Sequence, residues 1–164
     1  MDRKATYTLA VKTIKAAIFQ GQYAAAKGSN RIQLATYFAI GKYISLNSRH
    51  GFWGKGAIET ISEQLRRELP GLRGYSPSNM KNMRLFYEKW SVLDSKSPIA
   101  IGESSEQNST IAIGELQSED YQIDIYRSLS VDNVVDFPIE VFFSVPFTHH
   151  IRILQGTATM EERF

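Results

Sequence analysis

Between Tyr75 and Trp90 the run YSPSNMKNMRLFYEKW leaves little choice but an α-helix. Ser76 offers a hydroxyl that can accept a bond from an orphan N–H of the first turn. Pro77 then occupies the first helical position, where its missing N–H costs nothing. Met80, Met83, Tyr87 and Trp90 recur at helical spacing as one apolar stripe, with Phe86 on its shoulder. The opposite arc carries Ser78, Lys81, Asn82 and Lys89, with Asn79 and Arg84 at its borders. A helix anchored from behind, with amides and cations in front, can lie in a DNA groove. The same pattern also fits an ordinary amphipathic helix.

The segment before it is a second amphipathic helix, Ala57–Leu69, with Ile58, Ile61, Leu65 and Leu69 on the buried side and Glu59, Glu63, Arg66 and Arg67 outside. Pro70, Gly71 and Gly74 end it. Helix, glycine-bearing turn and capped helix make a helix–turn–helix in outline, although the turn Pro70–Tyr75 is longer than that motif's usual tight one. Upstream, Thr6–Ala26 reads as a helix with Tyr7, Val11, Ile14 and Ile18 along one side. Gly21 and Gly28 weaken it, and a break is expected near Lys27–Asn30. Asn30–Leu46 carries an apolar face (Leu34, Tyr37, Phe38, Ile40, Ile44) wide enough to be buried on more than one side, and Gly41 within it implies close approach of another helix. Asn47–Lys55 reads as a loop, with Phe52 and Trp53 folding back onto the core and His50 solvated.

Charge divides the chain. Residues 1–90 hold fifteen Lys/Arg against five Asp/Glu, whereas residues 91–164 hold four against twelve, so the overall balance of +2 conceals a strongly basic first half. Such asymmetry points to a polyanionic partner, or to a basic surface kept for solubility or for pairing with the acidic half. With 164 residues the chain can bury one ordinary core. No cysteine is present for a disulfide or a thiolate metal site. No apolar run approaches the roughly 18 residues of a membrane span, and the N-terminus lacks a signal-peptide core. A cytoplasmic location without membrane contact fits these features.

Three regions emerge: a basic helical domain over 1–90, a low-complexity insert or mobile linker over 91–132, and a helical continuation of the first domain over 133–164. The insert repeats Ile99-Ala100-Ile101-Gly102-Glu103 as Ile111-Ala112-Ile113-Gly114-Glu115. In the last region Pro138 opens a short helix within Phe137–Val145 and Pro146 interrupts it. Thr148 can cap the next helix, which Gly156 closes, and Thr157 or Thr159 starts another that reaches Phe164 with no stop signal, so the sequence reads as cut short. His149 and His150 are neighbours pointing about 100° apart on a helix, and they do not converge on one ion.

The run from Tyr37 to Tyr87 resembles the N-terminal domain of the YhcG family, bacterial proteins whose C-terminal half is assigned as a PD-(D/E)XK nuclease. The matching residues include Tyr37-Phe38, Ile40-Gly41-Lys42, Trp53-Gly54, Gly74-Tyr75-Ser76, Asn79-Met80, Met83-Arg84 and Phe86-Tyr87; Val145–His150 and Glu161–Phe164 look like later steps of the same family. The resemblance implies a mainly α, multi-helix domain with a helix–turn–helix-like unit that brings a nuclease to DNA, in cis or in trans. The nuclease domain itself is missing here. Asp94-Ser95-Lys96 is the acidic-x-Lys candidate for its site, and it lacks the flanking strands that hold a catalytic metal and a credible upstream acid. The chain is therefore expected to bind rather than cut, with no cofactor or metal.

On this reading Ser78, Asn79, Lys81 and Asn82 face base edges or phosphates of duplex DNA, and Lys89, Arg66, Arg67 and Arg73 neutralise the backbone. Asn79 has a rival role in bonding the turn, and Arg84 a rival role in the fold through a buried carboxylate. The alternative function is a protein-interaction or homodimerisation domain that positions a partner enzyme, using the Tyr37–Ile44 face and Phe142, Phe143 and Phe147.

Overall fold

The computed structural model describes residues 2–25, 30–51, 53–94, 123, 129 and 136–163, with the side chains of 23–25 left aside. Its helices are α1 (Arg3–Ala25), α2 (Asn30–Arg49), α3 (Ala57–Glu68), α4 (Pro77–Lys89), α5 (Ile139–Ser144) and α6 (Phe147–Gly156), with short 3-10 turns at Ser91–Leu93 and Glu161–Arg163. The fold is mainly α, and no strand occurs among the described residues.

The centre is α2. Leu34, Phe38, Ile40 and Ile44 are wholly buried, and the buried set also takes in Tyr37, Ala39, Gly41 and Tyr43, so the helix is covered on several sides, as its broad apolar face implied. α1 covers one side with Ala10, Val11, Ile14, Ala17 and Ile18. The glycine at position 21 serves this crossing, because a Cβ there would come within 2.5 Å of the Thr36 hydroxyl. α1 begins three residues earlier than its apolar stripe indicates, since Asp2 caps it by accepting the Lys4 N–H at 3.0 Å.

α4 packs most extensively along α2. The two backbones meet at Gly41, as expected from a glycine inside a helix. A Cβ at that position would stand 2.0 Å from the Met83 carbonyl oxygen. The buried stripe of α4 differs in one place from the expected one. Met80, Met83, Phe86 and Trp90 point inward, and Tyr87 takes the shoulder. Phe86 lies between α2 and the pair α5–α6, with its ring 6.1 Å from Phe38, 6.0 Å from Phe142 and 5.4 Å from Phe147.

α2 runs to Arg49, three residues beyond the expected end. Tertiary partners hold this extra turn: Asn47 donates back to the Tyr43 carbonyl at 2.8 Å, Ser48 meets Arg84, and Arg49 meets Glu88. Trp53 folds onto the core against Tyr43, while Phe52 lies outside the described residues and His50 is exposed. In the last region Pro146, rather than Thr148, sits at the start of α6. Thr159 opens the final turn as a capping box: its hydroxyl accepts from the Glu162 N–H at 3.4 Å, and the Glu162 carboxylate accepts from the Ala158 and Thr159 N–H groups.

Packing does not stop at Trp90. Ser91–Leu93 turns back, Leu93 is buried, and Asp94 bridges its backbone to Leu129. Asp94, read from sequence as part of the insert, is a buried carboxylate: Lys42 Nζ lies 2.7 Å from one oxygen and the Tyr87 hydroxyl 2.8 Å from the other. The repeated Ile-Ala-Ile-Gly-Glu segments lie outside the described residues.

Candidate nucleic-acid interface

Two elements present the residues in question: the outer edge of α4 and the outer side of α3 with its following turn. α4 starts where the sequence places it. Ser76 Oγ accepts the Asn79 N–H at 3.2 Å, and Pro77 is the first helical residue. With Met80, Met83, Phe86 and Trp90 held in the core, Ser78, Lys81 and Lys89 are turned to solvent and Asn82 is half-exposed.

Two residues of that set have structural roles. Asn79 Nδ2 donates to the Gly74 carbonyl at 2.5 Å, so its amide is spent on the turn, the rival role considered for it. Arg84 is half-buried and donates from Nη1 to Ser48 Oγ at 3.0 Å, rather than to a buried carboxylate. Burial and the neighbouring Arg49 charge depress its pKa, against the pull of Glu88. Glu88 in turn is pushed up by burial. Hydrogen bonds from Arg49 and Ser45 and the charges of Arg49 and Arg84 outweigh that and hold it below the ordinary carboxylate range. This α2–α4 seam of Lys42, Ser45, Ser48 and Arg49 against Asp94, Glu88 and Arg84 sets the rotation of α4, and thereby which residues face out.

The exposed cations divide by partner. All four glutamates of the basic half are taken: Glu59 by Lys81 across to α4, Glu63 by Arg67 at 2.5 Å, Glu68 by Lys15 at 2.8 Å and Glu88 by Arg49 at 2.9 Å. The Lys81 hydrogen bond holds the Glu59 carboxyl below its usual range. Arg66, Arg73 and Lys89 have no carboxylate partner among the described residues. Such surface ion pairs are weak and exchangeable, so Lys81 and Arg67 can trade a carboxylate for another anion.

Arg66 and Arg73 also line one hollow of about 220 Å³, together with Ser62, Leu72, Tyr75 and Ser76. The turn that forms its wall needs glycine at two places, Gly71 (φ 85°) and Gly74 (φ 87°). Ser62, buried on α3, donates to the Tyr75 carbonyl at 2.6 Å and ties the turn down. Nothing in the spacing of Ser62 announces this bond, because its acceptor belongs to a backbone thirteen residues away. The Tyr75 phenol is driven above its ordinary pKa by burial and the nearby Tyr37.

Most of the aromatic and aliphatic residues considered for protein pairing are used inside the fold. Tyr37, Phe38, Ile40 and Ile44 belong to the core, as do Phe142 and Phe147, and Phe143 is half-buried beneath the Arg31 guanidinium at 4.4 Å. The breadth of the α2 face reflects its central place in the bundle. His150 is buried, with Nε2 2.9 Å from the Phe142 carbonyl oxygen, while His149 is exposed, so the two rings diverge. No group of three or more His, Cys, Asp or Glu able to hold a metal occurs among the described residues. No helix among them is long and apolar enough to cross a membrane.

These features define a mainly helical domain built on α2, with one basic helix edge turned outward. The chain belongs to the family described as DUF1016 N-terminal domain, whose model matches residues 13–106, more than half of its length. This agrees with the YhcG-type resemblance seen in Gly74-Tyr75-Ser76 and Met83–Tyr87. Neither a curated protein nor a solved structure matches the chain.

Proposed function

We propose that this chain is a DNA-binding module, with α3, its turn and α4 as a helix–turn–helix-like unit whose α4 edge meets the duplex. The observation that carries the reading is the charge placement. Every glutamate of the basic half is already paired, yet among the described residues Arg66, Arg73 and Lys89 have no carboxylate partner, and Arg66 and Arg73 line one hollow beside Ser76, the cap of α4. Exposed cations without a carboxylate gain from releasing the counterions condensed on DNA, and that gain is lost as salt rises. Asn82 is the residue left for reading a base, since an amide can pair bidentately with adenine and that of Asn79 is engaged.

In this role the module binds and does not cut, and a nuclease domain in cis or in trans supplies the chemistry. A cytoplasmic location is part of the same proposal. The test is a mobility-shift titration with duplex, single-stranded and branched DNA over a salt series. Binding to duplex that weakens steeply with salt supports the reading; absence of any shift at low salt rejects it.

A further inference from the structure

The hollow beside the α3–α4 turn holds two arginines that no described carboxylate neutralises, and we infer that it is a seat for a single phosphate group. Arg66 comes from the C-terminal half of α3 and Arg73 from the turn, and both line the same concavity. Like charges sharing a hollow repel one another, and an anion between them relieves that repulsion. The guanidinium fork suits this task, because its paired N–H groups match two oxygens of a phosphate.

The turn that walls the hollow is tied down at several points. Ser62 fastens the Tyr75 carbonyl, Asn79 fastens the Gly74 carbonyl, and Ser76 caps α4. The helix N-terminus offers little: Pro77 has no N–H, that of Asn79 is held by Ser76 Oγ and that of Met80 by the Ser76 carbonyl, which leaves the Ser78 N–H. The two arginines supply the charge. At about 220 Å³ the hollow falls below the range of about 300–1,000 Å³ usual for enclosing whole small-molecule ligands, which favours one phosphate group over a nucleotide.

This inference rests on the DNA reading only for the origin of the phosphate, either an internal phosphodiester or a terminal phosphomonoester. Backbone-amide spectra of the full chain, titrated with inorganic phosphate and then with duplexes bearing a 5′-phosphate or a 5′-hydroxyl, test it. Inorganic phosphate is expected to shift the amides of Gly71, Arg73 and Gly74 saturably. The shifts disappear in Arg66→Gln/Arg73→Gln and persist in Lys12→Gln, an exposed lysine on α1. Tighter binding of the 5′-phosphorylated duplex assigns the terminal source, and equal binding assigns the backbone. In either case the double variant lowers the salt slope of duplex binding by about one, the worth of a single phosphate contact. Shifts that are absent, or that survive in the double variant, overturn the seat. Duplex bound without any change at the hollow sinks the seat and leaves the DNA reading standing; phosphate bound there with no duplex binding does the reverse.

Discussion

A Cβ on Gly41 would lie 2.0 Å from the carbonyl oxygen of Met83, so α2 and α4 touch backbone to backbone at that point. The orientation of every outward residue on α4 depends on this contact and on the polar seam beside it. Gly41→Ala forces the helices apart, because the obstacle is main chain rather than a side chain that can rotate. We expect a loss of about 3 kcal/mol or more in chemical denaturation, at the upper end of overpacking costs. A variant as stable as the parent would show that α4 can shift freely.

Lys42 and Asp94 form a mostly buried pair, with 16% and 4% of their side chains exposed. Removing one partner strands the other. Asp94→Asn is expected to cost about 3 kcal/mol, whereas Lys42→Met with Asp94→Leu and Tyr87→Phe costs less, since it leaves neither a charge nor the Tyr87 hydroxyl stranded. Urea denaturation of the two variants checks the order. Equal losses would mean that the ion pair itself, rather than the stranded charge, sets the cost.

Stability should fall with acidification before the carboxylates titrate. Burial depresses the pKa of His150 below its free value, against the pull of its bond to the Phe142 carbonyl. The unfolded chain therefore binds more protons once the pH drops below about 6.5, the ordinary histidine pKa. The contribution is complete above that value and is lost as the pH falls through the lowered folded pKa. His150→Gln should flatten the stability profile just below about pH 6.5. An unchanged slope would place the titrating group elsewhere.

The turn and the cap make separable demands. Ser76→Ala should cost about 1 kcal/mol, the usual worth of a helix cap, and Ser78→Ala, exposed and two positions on, within about 0.5 kcal/mol. Asn79→Ala should lower stability by removing the bond to Gly74 without relaxing base preference, whereas Asn82→Ala should relax base preference at unchanged stability. Thermal melts paired with binding to a small panel of duplexes separate the two asparagines.

Much of this architecture is legible in the sequence because its signals are local. The start of α4 follows from Ser76 and Pro77, the close helix crossing from Gly41, and the end of α3 from Pro70 and Gly71. What escapes is whatever depends on a distant partner. Phe86 and Tyr87 are adjacent in the chain, and only the flanking of α4 by both α2 and α5–α6 decides that Phe86 goes inward. Asp94 looks like linker because its lysine lies 52 residues away. The same holds for the site: the basic edge is visible as composition, but the coupling of Lys81 to Glu59 depends on how α3 and α4 align. The aromatic residues considered for a dimer surface are apolar enough for either use, and composition alone does not separate a core from an interface.

The most direct test of the DNA reading is fluorescence anisotropy of a short labelled duplex, titrated with the parent and with Arg66→Gln/Arg73→Gln/Lys89→Gln across a salt series. Helix content should be equal in both, since all three side chains are exposed. Binding is expected with a logarithmic salt slope that falls by about two in the variant, one for the phosphate shared by Arg66 and Arg73 and one for that met by Lys89. Equal affinities and slopes for the two proteins, or no binding by the parent at low salt, would contradict it.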